Sequence, residues 1–251
     1  MDFTVTKYTE FLDSIRSGSY SFQSFSESLA HISNKSIILR HDVDLLPSNS
    51  LVFAKIQRDR GIKGVYYFRA VPESWNEYII KGISELGHEI GYHYECLTTC
   101  NGNLSLAIKD FEKNLTALRK LAPVSTICMH GSPMSKYDSK DLWKTYSYRD
   151  FGILGEPYFD IDFGKVAYFT DTGRRWDGEK VSVRDKVDST FGHRFRTTDE
   201  IIAALRSNEL PDQMMFTFHP QRWNDDPWQW TKELISQNVK NLVKQYFFIK
   251  E

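Results

Sequence analysis

Cysteine is scarce in this chain: Cys96, Cys100 and Cys128 are the only three in 251 residues. An odd number without a framework spacing argues against a disulfide scaffold. Cys96 and Cys100 have no second cysteine pair or nearby histidine to complete a metal site, so reduced, unliganded thiols are expected. Net charge is equally small, at −1. That removes the global attraction on which binding to nucleic acid or anionic lipid relies. No apolar run approaches the ~20 residues of a membrane-spanning helix. The first residues, Met1-Asp2-Phe3-Thr4-Val5-Thr6-Lys7, hold no apolar leader core. These absences lead to the expectation of a cytoplasmic protein with no membrane span and no nucleic-acid partner. No repeat, low-complexity tract or linker breaks the chain, and one domain over residues 1–251 is expected.

What is present is enough apolar sequence, 41%, to bury a substantial core. Aromatic residues make up 14%, with 13 Tyr and 6 Trp, which suits stacking on sugar rings, although core packing accounts for most of it. Residues 6–33 read as one or two short helices carrying Tyr8, Phe11, Leu12 and Ile15, then Phe22, Phe25 and Leu29. They form a short helical extension, residues 1–33, that flanks the main fold. From there strands and helices alternate. Strands are predicted at 36–40, 64–69, 88–94, 125–129, 166–169 and 214–218. Helices are predicted at about 48–60 and 74–86, the second stopping at Gly87. The next helix has Leu104, Ile108, Phe111, Leu115 and Leu118 as one apolar stripe. A further helix opens with a capping box at Thr197-Thr198-Asp199-Glu200. The last, at about 227–246, carries Ile235, Val239, Leu242 and Tyr246 on one face. Residues 132–162 read as long loops with one short helix. Repeated βα units imply a largely parallel sheet, either an incomplete barrel or a doubly wound sheet.

Four of the strands end in acid or histidine: Arg40-His41-Asp42-Val43-Asp44, His88-Glu89-Ile90-Gly91-Tyr92-His93, Met129-His130-Gly131-Ser132-Pro133 and Phe218-His219-Pro220. In βα folds this is the end where metal and hydrolytic sites are built. Asp42 and Asp44 share a face, a costly pairing unless a cation or a shared proton relieves it. Arg40, of the same parity, offers one cation, and an acidic turn capping the next helix is the plain alternative. His88 and His93 face opposite sides of a regular strand. His93, nearer the carboxyl end and sharing parity with Glu95, is favoured as a ligand, and His88 as a core histidine held by hydrogen bonds. His130 and His219 each suit a proton donor, a metal ligand or a polar strand end. The segment Asp171-Thr172-Gly173-Arg174-Arg175-Trp176 offers an orienting salt bridge or an aromatic wall, or is a plain surface turn.

Taken in order, these segments resemble the NodB-homology polysaccharide deacetylases, the family 4 carbohydrate esterases, in a divergent form. The resemblance spans about residues 37–223. His41-Asp42-Val43-Asp44 resembles the family's first motif and implies Asp42 as catalytic base and Asp44 as metal ligand. Gly87-His88-Glu89-Ile90-Gly91-Tyr92-His93 resembles the second motif, whose last histidine binds metal. Phe218-His219-Pro220 resembles the last motif, implying His219 as general acid. The implied fold is a distorted (β/α) barrel of about seven parallel strands. Two positions depart from the pattern. The family's second metal histidine falls at Leu97, and the arginine–proline pair that orients the base is replaced by His130-Gly131-Ser132-Pro133. Either His130 or Glu95 is then the third ligand, or the metal has been lost.

The resemblance implies a divalent ion, zinc as the leading candidate, and a carbohydrate partner. The expected reaction is hydrolytic removal of an acyl group, N-acetyl first, from an amino sugar or a surface-polysaccharide precursor. Tyr92, Trp176 and Trp223 would form the sugar platform, with Glu95, Asp171 and Arg175 also assigned to substrate binding. The alternatives are a degenerate barrel that binds a glycan or glycosyl-lipid, favoured by Leu97, and hydrolysis of another C–N bond in a small metabolite.

Overall fold

The strand β2, Ser36–Val43, lies at the centre of the sheet, with all eight residues buried. Its sequence, Ser-Ile-Ile-Leu-Arg-His-Asp-Val, is apolar through its first half and ionisable only toward its end. That pattern suits a strand covered on both faces that delivers polar groups to one rim. The computed structural model describes residues 1–132, 134–177, 187–192 and 194–247, with residues 244–247 as backbone only. Pro133 of the third motif and the Tyr246 side chain of the last helix therefore lie outside the described residues.

Seven strands form one sheet, and every pairing in it is parallel. They are β1 (Ser21–Gln23), β2, β3 (Val65–Phe68), β4 (Glu89–Tyr94), β5 (Val124–Met129), β6 (Ala167–Thr170) and β7 (Gln213–Phe218). Their order is β5-β4-β3-β2-β7-β6, with β1 on β2. From β2 to β5 each crossover moves one place along, and β7 returns to pair with β2. This is the order of a ring opened between β5 and β6, a distorted (β/α) barrel. No β5–β6 ladder closes it among the described residues; an isolated bridge from Thr126 to Gly155 extends the β5 edge instead. Because all strands run the same way, their carboxyl ends gather at a single rim.

The helices are α1 (Val5–Ser17), α2 (Phe25–Ala30), α3 (Pro47–Asp59), α4 (Glu77–Glu85), α5 (Cys96–Thr99), α6 (Leu104–Arg119), α7 (Pro157–Asp160), α8 (Thr198–Arg206) and α9 (Pro227–Phe247). Side-chain caps start many of them. Thr197 and Glu200 form the capping box expected for α8, and Ser24 and Glu27 form a second at α2. Asn76 and Asn103 cap α4 and α6. On α6 the buried stripe is Ala107, Phe111, Leu115 and Leu118. Leu104, placed on that stripe from its spacing, is instead exposed in the first turn. No described helix is long and apolar enough to cross a membrane.

The first 33 residues and α9 differ from the sequence expectation. Residues 21–23, too short for any periodicity to register, join the sheet as β1. The α1 side chains Tyr8, Phe11, Leu12 and Ile15 are fully buried in the main core, so this helix forms part of the core. The other difference is α9, where the predicted apolar face exists but faces solvent: Ile235, Val239 and Leu242 are each more than half exposed.

One glycine has a steric reason. A Cβ at Gly91 would lie 2.2 Å from the ring of Tyr67, whose hydroxyl meets that of Thr126 at 3.2 Å. Residue 91 must therefore lack a side chain for β3 and β4 to pack this closely.

Candidate metal centre

The rim brings together Asp44, just past β2, His93 on β4 and His130, just past β5. The Nδ1 of His93 donates to the main-chain oxygen of Cys128 at 2.9 Å. The Nδ1 of His130 faces Glu95 Oε2 at 2.9 Å. Neither a carbonyl oxygen nor an ionised carboxylate can donate, so each ring keeps its proton on Nδ1 and presents the lone pair of Nε2. Both Nε2 atoms lie 3.5 Å from the same oxygen, Asp44 Oδ1. That oxygen is buried and has no hydrogen-bond partner among the described residues.

These three donors fit a divalent ion. Bonds of roughly 2.0–2.1 Å in a tetrahedral site put ligand atoms roughly 3.3–3.4 Å apart, close to the spacing seen. The whole set lies within 4.8 Å, and two imidazoles with one carboxylate suit zinc or a neighbouring transition metal. The other oxygen, Asp44 Oδ2, accepts from Gln221 Nε2 at 3.2 Å. Burial works against the Asp44 charge, but the imidazoles of His130, His93 and His219 outweigh it and hold the carboxyl well below its usual range. Burial also works against a charged His93, and here Asp42 and Asp44 outweigh it and raise its pKa. A bound cation would take over the role of that proton. Asp42, His93 and Cys128 form a second candidate grouping, but Asp42 is already engaged.

Its partner is Arg40, two residues earlier on the same strand face. Arg40 Nε and Nη2 donate to the two Asp42 oxygens at 2.9 and 2.6 Å, and Tyr158 Oη accepts from Nη2 at 3.3 Å. His41, between them in sequence, belongs to the opposite face. Its Nδ1 donates to Val65 O at 3.0 Å, and Nε2 meets the Tyr8 hydroxyl at 3.1 Å. Burial pushes its pKa down to about 3. His88 is a core histidine as expected, bonded to Ala54 O at 2.9 Å and to the Gly64 amide at 3.2 Å.

On the other side of the centre His219 Nε2 stands 3.8 Å from Asp44 Oδ2. Its Nδ1 bonds Asp171 Oδ1 at 2.5 Å, and its backbone amide donates to Asp171 Oδ2 at 2.9 Å. Arg222 Nη1 and Trp223 Nε1 complete the shell of that carboxylate at 2.9 and 2.7 Å. Burial would raise the Asp171 pKa, but the charges of His219 and Arg222 outweigh it and lower it.

Several residues assigned from sequence to substrate contact have other work. Asp171 is wholly buried and spends its oxygens on His219, Arg222 and Trp223. Trp223 is also wholly buried, packed against Phe3 and Phe218. Trp176 is buried with its indole N–H on Thr198 Oγ1 at 2.9 Å. Tyr92 is buried against Phe111, and its hydroxyl accepts from Asn114. None of the three aromatics offers an open face, because each belongs to the core between strands and helices. Arg175 pairs with Asp177 and lines a separate cavity of about 360 Å³ beside Phe3 and Trp230. Glu95 bonds its oxygens to His130 and Arg69. Burial would raise its pKa, but the His130 hydrogen bond and the charges of His130 and Arg69 bring it down to about 2. Leu97, where the resembled motif would place a second metal histidine, is buried in the apolar core.

Sequence reasoning missed Arg69, which carried no motif signal, and the roles of Gln221 and Arg222, whose only signal was adjacency to His219-Pro220. Beside His130 and Glu95 opens a cleft of about 500 Å³, lined also by Arg69, Asn101, Ser132, Lys136 and Tyr137.

No protein-family model matches the chain, and no curated protein matches it. Among solved structures it is similar to a CE4 (family 4 carbohydrate) esterase of Streptococcus mutans at 11% identity, with 93% of this chain and 92% of that one covered and a TM-score of 0.46. It is also similar to a mutant of a CE4 family pseudoenzyme of Bacillus anthracis at 15% identity and a TM-score of 0.45, covering 85% of this chain. The chain spans 64% of the length of that protein, under two thirds. The CE4 domain of a multidomain xylanase from the hindgut metagenome of Trinervitermes trinervoides matches at 14% identity, 84% and 85% coverage and a TM-score of 0.43. Each of the three is a CE4 protein, the family whose motifs this sequence resembles.

Proposed function

We propose that this chain is a divergent carbohydrate deacetylase of the CE4 type, a metal-dependent hydrolase that removes an N-acetyl group from an amino sugar or a surface-polysaccharide precursor. The observation carrying this reading is the convergence of Asp44 Oδ1 with the Nε2 atoms of His93 and His130, flanked by the Arg40–Asp42 and Asp171–His219 pairs. Asp44, His93 and His130 would hold the ion, zinc by its donor set. When bound it supplies Lewis acidity toward the amide carbonyl and makes water a better nucleophile.

The protein's own groups do the rest. Asp42 accepts the proton of the attacking water at a carboxylate oxygen, and Arg40 fixes that carboxylate in place. His219, held by Asp171 at Nδ1, donates from Nε2 to the departing amine, which is too basic to leave unprotonated. The cleft beside His130 takes the sugar, with Tyr137 and Lys136 in the role first assigned to Tyr92, Trp176 and Trp223.

Elemental analysis of the purified protein tests this reading, alongside Asp44→Ala, His93→Ala and His130→Ala. Near-stoichiometric metal, lost in all three, supports it; absence of metal after reconstitution ends it. Asp42→Asn should abolish N-acetyl hydrolysis while keeping the metal, and losing both together would contradict the split between base and ligand. Leu97 favours a second reading, a glycan-binding barrel without turnover. Glycan affinity indifferent to chelator would select it.

A further inference from the structure

We propose that Arg69 is a positioning residue that sets the affinity of the metal centre by joining its Asp44 arm to its His130 arm. The inference rests on the metal reading above. His130 lies beyond the end of β5 on a segment continuing into Gly131 and Ser132, so its ring needs an external hold. Glu95 supplies one at Nδ1, but its own side chain is long and rotatable. Arg69, the first residue after β3, fixes it: Nε and Nη2 reach Glu95 Oε1 at 2.8 and 2.7 Å. The third arm of the same guanidinium, Nη1, donates to the main-chain oxygen of Asp44 at 3.2 Å.

The base of Arg69 is itself anchored to β2. Its amide donates to Ser74 Oγ at 3.0 Å, and that wholly buried hydroxyl donates to Val43 O at 2.5 Å. One rigid planar fork thus ties the carboxyl ends of β2, β3 and β4 together and reaches β5 through Glu95 and His130. A lysine, a compact charge with three donors on a flexible stem, lacks the rigid planar fork that spans Glu95 and the Asp44 oxygen.

The test is the zinc dissociation constant, from competition with a chromophoric chelator, for the full chain and for Arg69→Met, Glu95→Gln and the double variant. Apo-protein melting temperatures are measured in parallel. Loss of an outer support of a metal ligand costs about 10–100-fold in affinity, and each single change should fall in that range. The double variant should bind no more weakly than the worse single one, because both break the same link. Arg69→Lys should lie between wild type and Arg69→Met. An unchanged dissociation constant in Arg69→Met, even with a lowered melting temperature, would reduce Arg69 to a fold-stabilising residue and overturn the inference. Losses that multiply in the double variant would overturn it too. If Arg69→Met does not fold, Arg69→Lys with Glu95→Gln carries the same cycle. A wild-type protein that binds no zinc overturns the metal reading itself, and this inference with it.

Discussion

Replacing Arg40 by Met would remove one half of a buried ion pair and leave the other half in place. Arg40 is 1% and Asp42 3% exposed, so water cannot replace the two lost hydrogen bonds. The next potentially cationic group is His93, whose Nε2 lies 3.7 Å from Asp42 Oδ2. Truncating one partner of a buried pair costs about 3–5 kcal/mol. In a chain of this length each kcal/mol moves the melting temperature by about 2–4 °C, giving a fall of about 6–20 °C. Arg40 Nη1 has no partner among the described residues, so the intact pair is worth much less than its rupture costs. Arg40→Met with Asp42→Leu should therefore recover most of the loss, because no buried charge remains. The assay is thermal and urea unfolding of the apo protein, in chelator and near neutral pH, followed by circular dichroism. A single variant within about 1 kcal/mol of wild type would refute the reasoning, since removing one partner of a buried pair should cost several times that. So would a double variant less stable than the single.

Leu97→His, which places a histidine where the resembled motif has one, should leave zinc affinity unchanged if His130 completes the donor set. It should cost about 1–3 kcal/mol in urea unfolding, by placing a polar ring in an apolar cluster. Trp223→Phe removes the donor to Asp171 Oδ2 and should lower kcat by about tenfold or more with KM unchanged; a raised KM instead would return Trp223 to the sugar. His41 should keep a neutral imidazole, by its NMR Cε1–H shift, as the pH is lowered to 5. Its folded pKa, about 3, lies below the unfolded value near 6.5, so between those limits the unfolded chain binds the extra proton. Over that window His41 alone removes about 1.4 kcal/mol of stability per unit of falling pH.

Much of this molecule can be read from its sequence because the signals were periodic. Alternating strands and helices, the Thr197–Glu200 capping box and the parity of Arg40 with Asp42 are local patterns with a direct geometric meaning. The parity argument also separates His88 from His93. The aromatic residues were a different problem. Nothing in a sequence tells a tryptophan that stacks on a sugar from one whose indole N–H holds a buried aspartate, and Trp223 is the second kind. For α9 the period predicts an apolar stripe but not what covers it, and Ile235, Val239 and Leu242 face solvent. Arg69 was invisible because its partners, Asp44 and Glu95, come from two other strands and meet it only through the sheet.

A histidine can change its place in a sequence without changing what the centre requires. The proposed centre needs three lone-pair donors within one small cluster, with each ring fixed in one tautomer. Here two imidazole Nε2 atoms each lie 3.5 Å from Asp44 Oδ1, and all three donors lie within 4.8 Å. Neighbouring strands of a parallel barrel can supply such donors interchangeably at the rim. The cost lies in the support. A ligand just beyond a strand end must be held from outside, and here that hold is Glu95, which in turn needs Arg69. If the proposed centre holds a metal, using His130 in place of a histidine at Leu97 would involve three residues together, His130, Glu95 and Arg69, while Leu97 is buried in the core. Relatives with histidine at the position of Leu97 should be free to lose the carboxylate at 95 and the arginine at 69, whereas relatives with an apolar residue there should keep all three. An alignment in which those positions varied independently would break the link between the support and the ligand it holds.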